Sequence, residues 1–85
     1  MIADEALGVI RGMARAGRIF ISGHARKRMR QRQVEFRDIS DALTYATTCK
    51  AQADGSWKTS GLDASRDELV VVVKIEDELV VVTLF

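Results

Sequence analysis

Apolar residues recur every three or four positions through the first half of the chain, and this spacing predicts helices. The three predicted helices cover residues 4–17, residues 23–32 and residues 36 to about 47. Gly17 is suited to end the first helix, and Ser22 is suited to cap the N-terminus of the second. Residues 18–21 between them form a short β-prone segment. The first half of the chain is therefore predicted to be mainly helical.

From Cys49 onward the pattern becomes typical of β-strands. Asp54-Gly55 indicates a hairpin turn. The four predicted strands cover residues 49–53, 56–62, 69–75 and 79–85. The final strand is rich in valine, so it is expected to lie in the centre of the sheet or to be covered. Helices followed by a meander of strands predict an α+β fold, with N-terminal helices packed on one face of an antiparallel β-sheet.

The length of 85 residues predicts a single domain spanning residues 1–85. Cys49 is the only cysteine, so no disulfide can form within the chain, and one cysteine with one histidine cannot make a structural zinc site. The apolar runs are far shorter than the ~20 residues that cross a bilayer. The N-terminus also lacks the pattern of a signal peptide. These features predict a soluble, cytoplasmic protein.

Basic and acidic residues are segregated along the chain. Residues 6–34 contain eight of the 13 arginines and lysines and no carboxylate, although the formal net charge of the whole chain is only +1. A field of this kind attracts a polyanion, so RNA or DNA is the expected partner. The alternative is a solvated surface that balances the acidic second half of the fold. The absence of acidic residues favours nucleic-acid binding, because a merely soluble helix usually mixes both signs.

His24 is the only imidazole in the chain and is expected in the first turn of the second helix. The helix N-terminus and the nearby arginines favour the neutral imidazole, which can accept a proton. Arg28 follows four residues later on the same face. The pair supplies what cleavage of RNA by its own 2′-hydroxyl requires, namely a base and a cation that stabilises charge on the phosphate. Packing or capping is the more frequent role of an isolated histidine, and that alternative stays open.

The remaining basic residues of the second helix cannot all contact one ligand. Arg28 and Arg32 share one side of the helix, whereas Arg26 and Arg30 lie on another. Lys27 lies within the same dense basic stretch. We expect Arg26, Lys27 and Arg32 to contribute to RNA binding.

Some polar residues of the predicted strands are further candidates. Lys58 is predicted to share a strand face with Ser60, opposite Trp57, which is more typical of a core residue than of a base-stacking residue. Lys74 and Thr83 each interrupt a valine-rich segment, and such a residue faces either solvent or a site. No dinucleotide-binding, P-loop, HExxH or CxxC motif occurs, so neither a cofactor nor a metal is expected.

Two motifs carry a resemblance to known proteins. The pattern Ser22-x-His24-Ala25-x-x-Arg28-Met29-x-x-Arg32 and the ending Thr83-Leu84-Phe85 resemble a widespread family of small bacterial proteins of unassigned function. The layout, from a basic helix to a closing hairpin, is also similar to the RelE/ParE-like toxin superfamily, particularly its RNA-cleaving motility quorum-sensing regulator type. The chain departs from the pattern at Gln33, where glycine is common.

The resemblance implies a RelE/ParE-like fold, ribonuclease activity and a partner antitoxin. It assigns His24, Arg28 and Arg32 by motif position and Thr83 as a residue that faces the site. Together with the residue patterns, it predicts a catalytic group of His24, Arg28 and Thr83. The predicted RNA-binding residues are Arg26, Lys27, Arg32, Lys58 and Lys74.

The leading interpretation is a metal-independent endoribonuclease of a bacterial toxin–antitoxin system, an mRNA interferase without cofactors. One alternative is a gyrase-directed or other protein-binding toxin, because the same superfamily contains gyrase poisons. Another is a noncatalytic nucleic-acid-binding domain. The expected partners are RNA and a cognate antitoxin protein, which could bind the basic region between Arg11 and Arg32 or an exposed sheet edge at Ser56–Leu62. Assembly into homo-oligomers is left open.

Overall fold

The computed structural model of the protein describes all 85 residues, with helices in the first half and most strands in the second. The elements are α1 (Ala3–Arg15), β1 (Ile19–Ile21), α2 (Gly23–Arg32), α3 (Phe36–Thr44), β2 (Thr48–Ala51), β3 (Trp57–Leu62), β4 (Glu68–Ile75) and β5 (Leu79–Leu84). The predicted α+β class, with N-terminal helices followed by strands, is confirmed. No helix has the length and apolar character that a membrane span requires.

The ends of the helices follow local chemistry. The Ser22 hydroxyl accepts a hydrogen bond from the Ala25 backbone N–H at 3.1 Å, which confirms the predicted N-cap of α2. Gly17 follows α1 with φ of 76°, in the left-handed region that glycine adopts readily. Gln33 ends α2 in the same region, with φ of 54°. The α3 helix ends at Thr44 instead of the predicted Thr47, because the Thr47 backbone N–H donates to the sheet at the Ser60 carbonyl.

The five strands form one sheet in the order β1-β5-β4-β3-β2. All neighbours are antiparallel except β1 and β5, which are parallel. The prediction of an antiparallel sheet was therefore wrong for β1. Only a tight hairpin would force a strand to run antiparallel to its partner, and β1 is joined to β5 through α2, α3 and three other strands.

The sequence predicts the position of two strands in the sheet, the last strand and the segment Ser56–Leu62. The last strand was predicted to be central or covered, and β5 is central, because it lies between β1 and β4. The prediction of an exposed edge at Ser56–Leu62 was wrong. That segment contains β3, which is paired on both sides, and the two edges of the sheet are β1 and β2.

One face of the sheet packs against α1 and α3 and forms the hydrophobic core. The Gly61 backbone lies so close to α3 that a Cβ there would be 2.2 Å from the Ala42 carbonyl oxygen. Thr59 is buried on the same face and satisfies its hydroxyl by donating to the Val71 carbonyl at 2.8 Å. The largest fully buried apolar side chains are Ile10, Ile39, Leu43, Leu79, Leu84, Val71, Val73 and Val81.

The opposite face, which we call the open face, is mostly accessible. By their register, Lys50, Lys58, Val72 and Lys74 lie on it. A β-bulge in β5 determines the face on which Thr83 lies. Val72 pairs with Thr83 and Val73 pairs with Val81, so an extra residue is inserted into β5 between them. Strict alternation from Val81 would have placed Thr83 in the core, and the bulge directs it to the open face instead.

Candidate functional site

The predicted catalytic histidine and threonine are in contact. His24 Nε2 and Thr83 Oγ1 are 3.1 Å apart and hydrogen bonded, although 59 positions separate them in the chain. His24 comes from the first turn of α2 and is exposed, while Thr83 comes from the bulged segment of β5 and is half-buried. The contact therefore depends on how α2 is placed against β5.

Ser22 attaches the first turn of α2 to β5. Its backbone N–H donates to the Val81 carbonyl at 3.1 Å, and its hydroxyl donates to the Val82 carbonyl at 3.2 Å. The same hydroxyl oxygen accepts from the Ala25 N–H as the helix cap. One serine thus ends the parallel β1–β5 pairing, begins the helix and positions the imidazole beside the bulge.

Arg28 lies one helical turn after His24 and is tied to the end of the sheet. Its Nε and Nη2 donate to the Leu84 carbonyl at 3.2 Å and 3.1 Å. Its guanidinium carbon lies 5.6 Å from the centroid of the Phe85 ring. Two of its five N–H groups are used in this way, so the remaining ones can bind an anion. Arg28 is therefore a cation held at a defined position beside Thr83.

A second cation approaches the same aromatic ring from the sheet. The Lys58 ammonium lies 5.6 Å from the centroid of Phe85. The ring is 48% exposed, so it remains accessible between these contacts. Phe85 thus brings together a cation from α2 and a cation from β3 beside Thr83.

A cavity of about 420 Å³ opens on this part of the open face. Its walls are the sheet side chains Lys58, Val72, Val82, Thr83 and Phe85, and the turn residues Gln52, Ala53, Asp54 and Ser56. Hydrogen bonds from the Ser56 hydroxyl and backbone N–H hold the pKa of Asp54 below its usual range, and the charge of Lys74 acts in the same direction. The turn therefore places one ionised carboxylate at the rim of an otherwise cationic and apolar cavity.

The other predicted RNA-binding residues lie apart from this group. Lys74 is on the open face, but its electrostatic neighbour is Asp54. Arg26 lines a separate depression together with Arg30 on another side of α2, as the helical spacing predicted. Lys27 and Arg32 are exposed on α2. The structure brings together His24, Arg28, Thr83 and Lys58 from the predicted set.

Besides Arg28, two arginines of the basic block have contacts within the fold. Arg11 Nε donates to the Ala46 carbonyl at 2.7 Å, and the Arg18 guanidinium donates to the Asp77 carbonyl. The excess of positive charge in residues 6–34 therefore overstates the charge that is free to bind a ligand.

Two residues of the site are not predicted from the sequence. Phe85 belongs to the ending Thr83-Leu84-Phe85, but nothing in the sequence shows that two cations contact its ring. Lys50 is exposed on the open face and pairs directly with Lys58. Register alone reveals this pairing. Cys49, beside it, lies on the opposite face, where burial and then Asp4 raise the pKa of its thiol and disfavour the thiolate.

The protein is an α+β domain with one open sheet face. His24, Thr83 and the cations Arg28 and Lys58 meet where α2 borders this face. Residues 21–85 match the family DUF4258, a domain of unknown function, and the chain belongs to this family. The matched segment contains α2, β3 and β5, the elements that build the site. No curated protein and no solved structure matches the chain significantly. No group of three or more histidine, cysteine, aspartate or glutamate side chains is arranged to hold a metal ion.

Proposed function

We propose that this protein is a cytoplasmic endoribonuclease of the RelE/ParE-like toxin type that cleaves RNA without a metal ion. The observation that carries the proposal is the contact between His24 Nε2 and Thr83 Oγ1 at 3.1 Å, next to the guanidinium of Arg28. A base, an orienting hydroxyl and a fixed cation on an accessible surface are the groups that transesterification by a 2′-hydroxyl uses.

His24 accepts the proton of the attacking 2′-hydroxyl. In the tautomer in which Nε2 carries the ring proton and donates it to Thr83 Oγ1, the lone pair is on Nδ1, and Nδ1 takes up the substrate proton. The 2′-oxygen then attacks the adjacent phosphorus, and the bond from phosphorus to the 5′-oxygen breaks. The products are a 2′,3′-cyclic phosphate and a 5′-hydroxyl that takes its proton from water. Thr83 holds the ring in position.

Arg28 and Lys58 stabilise the negative charge that develops on the phosphate oxygens. Arg28 is held in place by the Leu84 carbonyl, so binding the phosphate requires little reordering of its side chain. Lys58, whose ammonium is also near the Phe85 ring, contributes a flexible point charge from β3. The phosphate is therefore expected to lie between the two cations, close to Thr83.

A noncatalytic nucleic-acid-binding domain is the second candidate. It is favoured by the exposed arginines on the other side of α2, where Arg26 and Arg30 line a depression that does not include His24. These residues would bind phosphates electrostatically without chemistry. If binding alone were the function, removal of His24 would leave the function intact.

A cytoplasmic ribonuclease of this kind would damage its own host, so we also propose a cognate antitoxin protein. An acidic segment of the antitoxin would neutralise the exposed basic residues of α2 and compete with RNA. Strand addition is expected at the exposed edge β2, because β3 is internal.

The test is cleavage of single-stranded RNA by the purified protein in the presence of EDTA. We expect RNA fragments ending in 2′,3′-cyclic phosphates. The His24→Ala variant should cleave roughly 10²–10⁴ times more slowly, the usual contribution of a general base. Its melting temperature should be nearly unchanged because His24 is exposed. Gln31→Ala, an exposed substitution on the same helix, is the matched control and should be fully active.

Full activity of His24→Ala would show that His24 is not the base and would favour the noncatalytic binding domain. Activity that disappears with EDTA would contradict the proposed mechanism.

A further inference from the structure

The register of the strands aligns the candidate catalytic pair with two lysines. His24 contacts Thr83 on β5, Thr83 pairs with Val72 on β4, and Val72 pairs with Lys58 on β3. Lys58 in turn pairs with Lys50 on the edge strand β2. Paired residues project from the same face, so these five residues form one line across the open face. We call it the lateral row.

The outer end of the lateral row is cationic. Lys50 and Lys58 are both exposed and directly opposite each other. Like charges at opposite positions of neighbouring strands destabilise a sheet. Negative charge bound next to the two ammonium groups reduces this repulsion, so their pairing favours binding of a negatively charged ligand.

The row is longer than a single phosphate requires. Three strand spacings separate Thr83 from Lys50, a distance of about 14 Å at the usual separation of neighbouring strands. A ligand that contacts both ends must therefore carry several negative charges along its length. A polynucleotide backbone has this property.

The space beside the row fits an unpaired base. The cavity of about 420 Å³ borders the row and has Val72, Val82 and Phe85 in its walls. An apolar and aromatic wall of this kind contacts the flat surface of a base that has left its stack, which single-stranded RNA can provide and a duplex cannot without being opened.

On the basis of the proposed ribonuclease function, we propose that the lateral row binds the backbone of an unpaired RNA strand on one side of the cleaved bond. The strand runs across the β-strands from His24 to Lys50. Lys58 contacts the phosphate at or next to the cleaved bond, and Lys50 contacts a phosphate farther along. A base between them occupies the cavity beside Phe85. Lys50 is then a binding residue that acts away from the chemistry.

The test uses 2′-O-methyl RNA, which lacks the attacking hydroxyl and cannot be cleaved by this mechanism. Affinity for a mixed-sequence hexanucleotide and a dinucleotide is measured by fluorescence anisotropy over a range of salt concentrations. For Lys50→Gln, we expect weaker hexanucleotide binding and a log–log salt slope reduced by about 0.7, the value for one lost phosphate contact on a single strand. Dinucleotide binding should be unchanged, because a dinucleotide has a single phosphate, which lies at Arg28 and Lys58 and leaves none for Lys50.

Two variants serve as controls. Lys50→Arg keeps the charge and should restore hexanucleotide binding. Arg37→Gln removes one exposed positive charge from α3, which packs on the other face of the sheet, and should leave the salt slope close to that of the wild type. Any general effect of net charge would be equal in Lys50→Gln and Arg37→Gln.

The inference is overturned if Lys50→Gln and Arg37→Gln behave alike, or if the wild type binds no hexanucleotide or prefers a duplex. Lys50 would then serve only to protect an edge strand from pairing with other chains. Cleavage of unmodified RNA is measured separately. If the wild type cleaves RNA and Lys50→Gln binds RNA as the wild type does, only the proposal of the lateral row is contradicted. If the wild type binds RNA along the row without cleaving it, only the proposed catalysis is contradicted.

Discussion

The face of the sheet beneath α1 and α3 is formed mainly by buried leucine and valine side chains, whereas the open face has lysines, a threonine and an accessible aromatic ring beside an exposed histidine. The first face lies against helices and contains the hydrophobic core. The second lies against solvent, and α2 borders only its edge. Burial of apolar area on the first face stabilises the domain. The polar groups of the second face are accessible, so they can bind a ligand.

Strand β5 contributes to both faces within two successive residues. Leu84 is fully buried in the core, while Thr83 contacts His24 on the open face. The strand therefore joins the hydrophobic core directly to the candidate site. A site supported in this way is held in position by the core without containing core residues.

The largest effect on stability is expected for Leu84→Ala. Removal of a fully buried leucine side chain should lower the free energy of unfolding by about 2–5 kcal/mol, because apolar contacts are lost and a cavity remains. Denaturant unfolding measures this change. In such a small domain the loss could unfold the protein, and Leu84→Met, which keeps the volume, would then show the smaller effect of less than about 1.5 kcal/mol. A stability loss for Leu84→Ala no larger than for a surface substitution would abolish the contrast between the faces.

Gly61→Ala tests the close contact between the sheet and α3. The added Cβ would meet the Ala42 carbonyl oxygen at 2.2 Å, so the helix or the strand must move. We expect a loss of about 1–3 kcal/mol of unfolding free energy, typical of overpacking. Gly12→Ala is the control, because a Cβ at that helical position meets no atom within 4 Å. Equal stability of the two variants would show that α3 does not rest on β3 as closely as described.

Thr83→Val should separate the two faces most clearly. Valine has nearly the same shape and suits a strand, so stability should change by less than about 1 kcal/mol. The hydrogen bond to His24 is lost, and RNA cleavage should fall about tenfold, as expected for the net contribution of one such bond. Thr83→Ser keeps the hydroxyl and should retain most of the activity. A strongly destabilised Thr83→Val variant would place Thr83 among the structural residues.

The smallest effect is expected for Asp54→Asn at the rim of the open face. The pKa of Asp54 is lowered in the folded protein, mainly by hydrogen bonds from Ser56. Its ionised form therefore stabilises the fold above the ordinary aspartate pKa, and this stabilisation is lost as the pH falls through the lowered value.

Melting temperatures of the wild type and Asp54→Asn, measured between neutral and acidic pH, check this expectation. The wild type should be slightly more stable at neutral pH, and the difference should shrink on acidification. A difference that is independent of pH would show that the charge of Asp54 plays no part.

Much of the local structure could be predicted because short-range chemistry determines it. The Ser22 cap, the turn at Asp54-Gly55 and the helical spacing from His24 to Arg28 depend on neighbouring residues, and each agrees with the structure. The last strand was predicted to be central or covered, and β5 lies between β1 and β4. The prediction that Arg26 lies on a different side of α2 from Arg28 followed from the same helical geometry.

The sequence by itself therefore determined the helices, the strands, the segregation of charge and the residue types able to react. Only the tertiary structure decided that β1 pairs in parallel with β5, that the bulge after Val81 turns Thr83 away from the core, and that Lys50 aligns with Lys58. These features depend on register between strands that are distant in the chain. Register is selected by the packing of the whole core, because a shift of one residue would move every side chain of a strand to the other face.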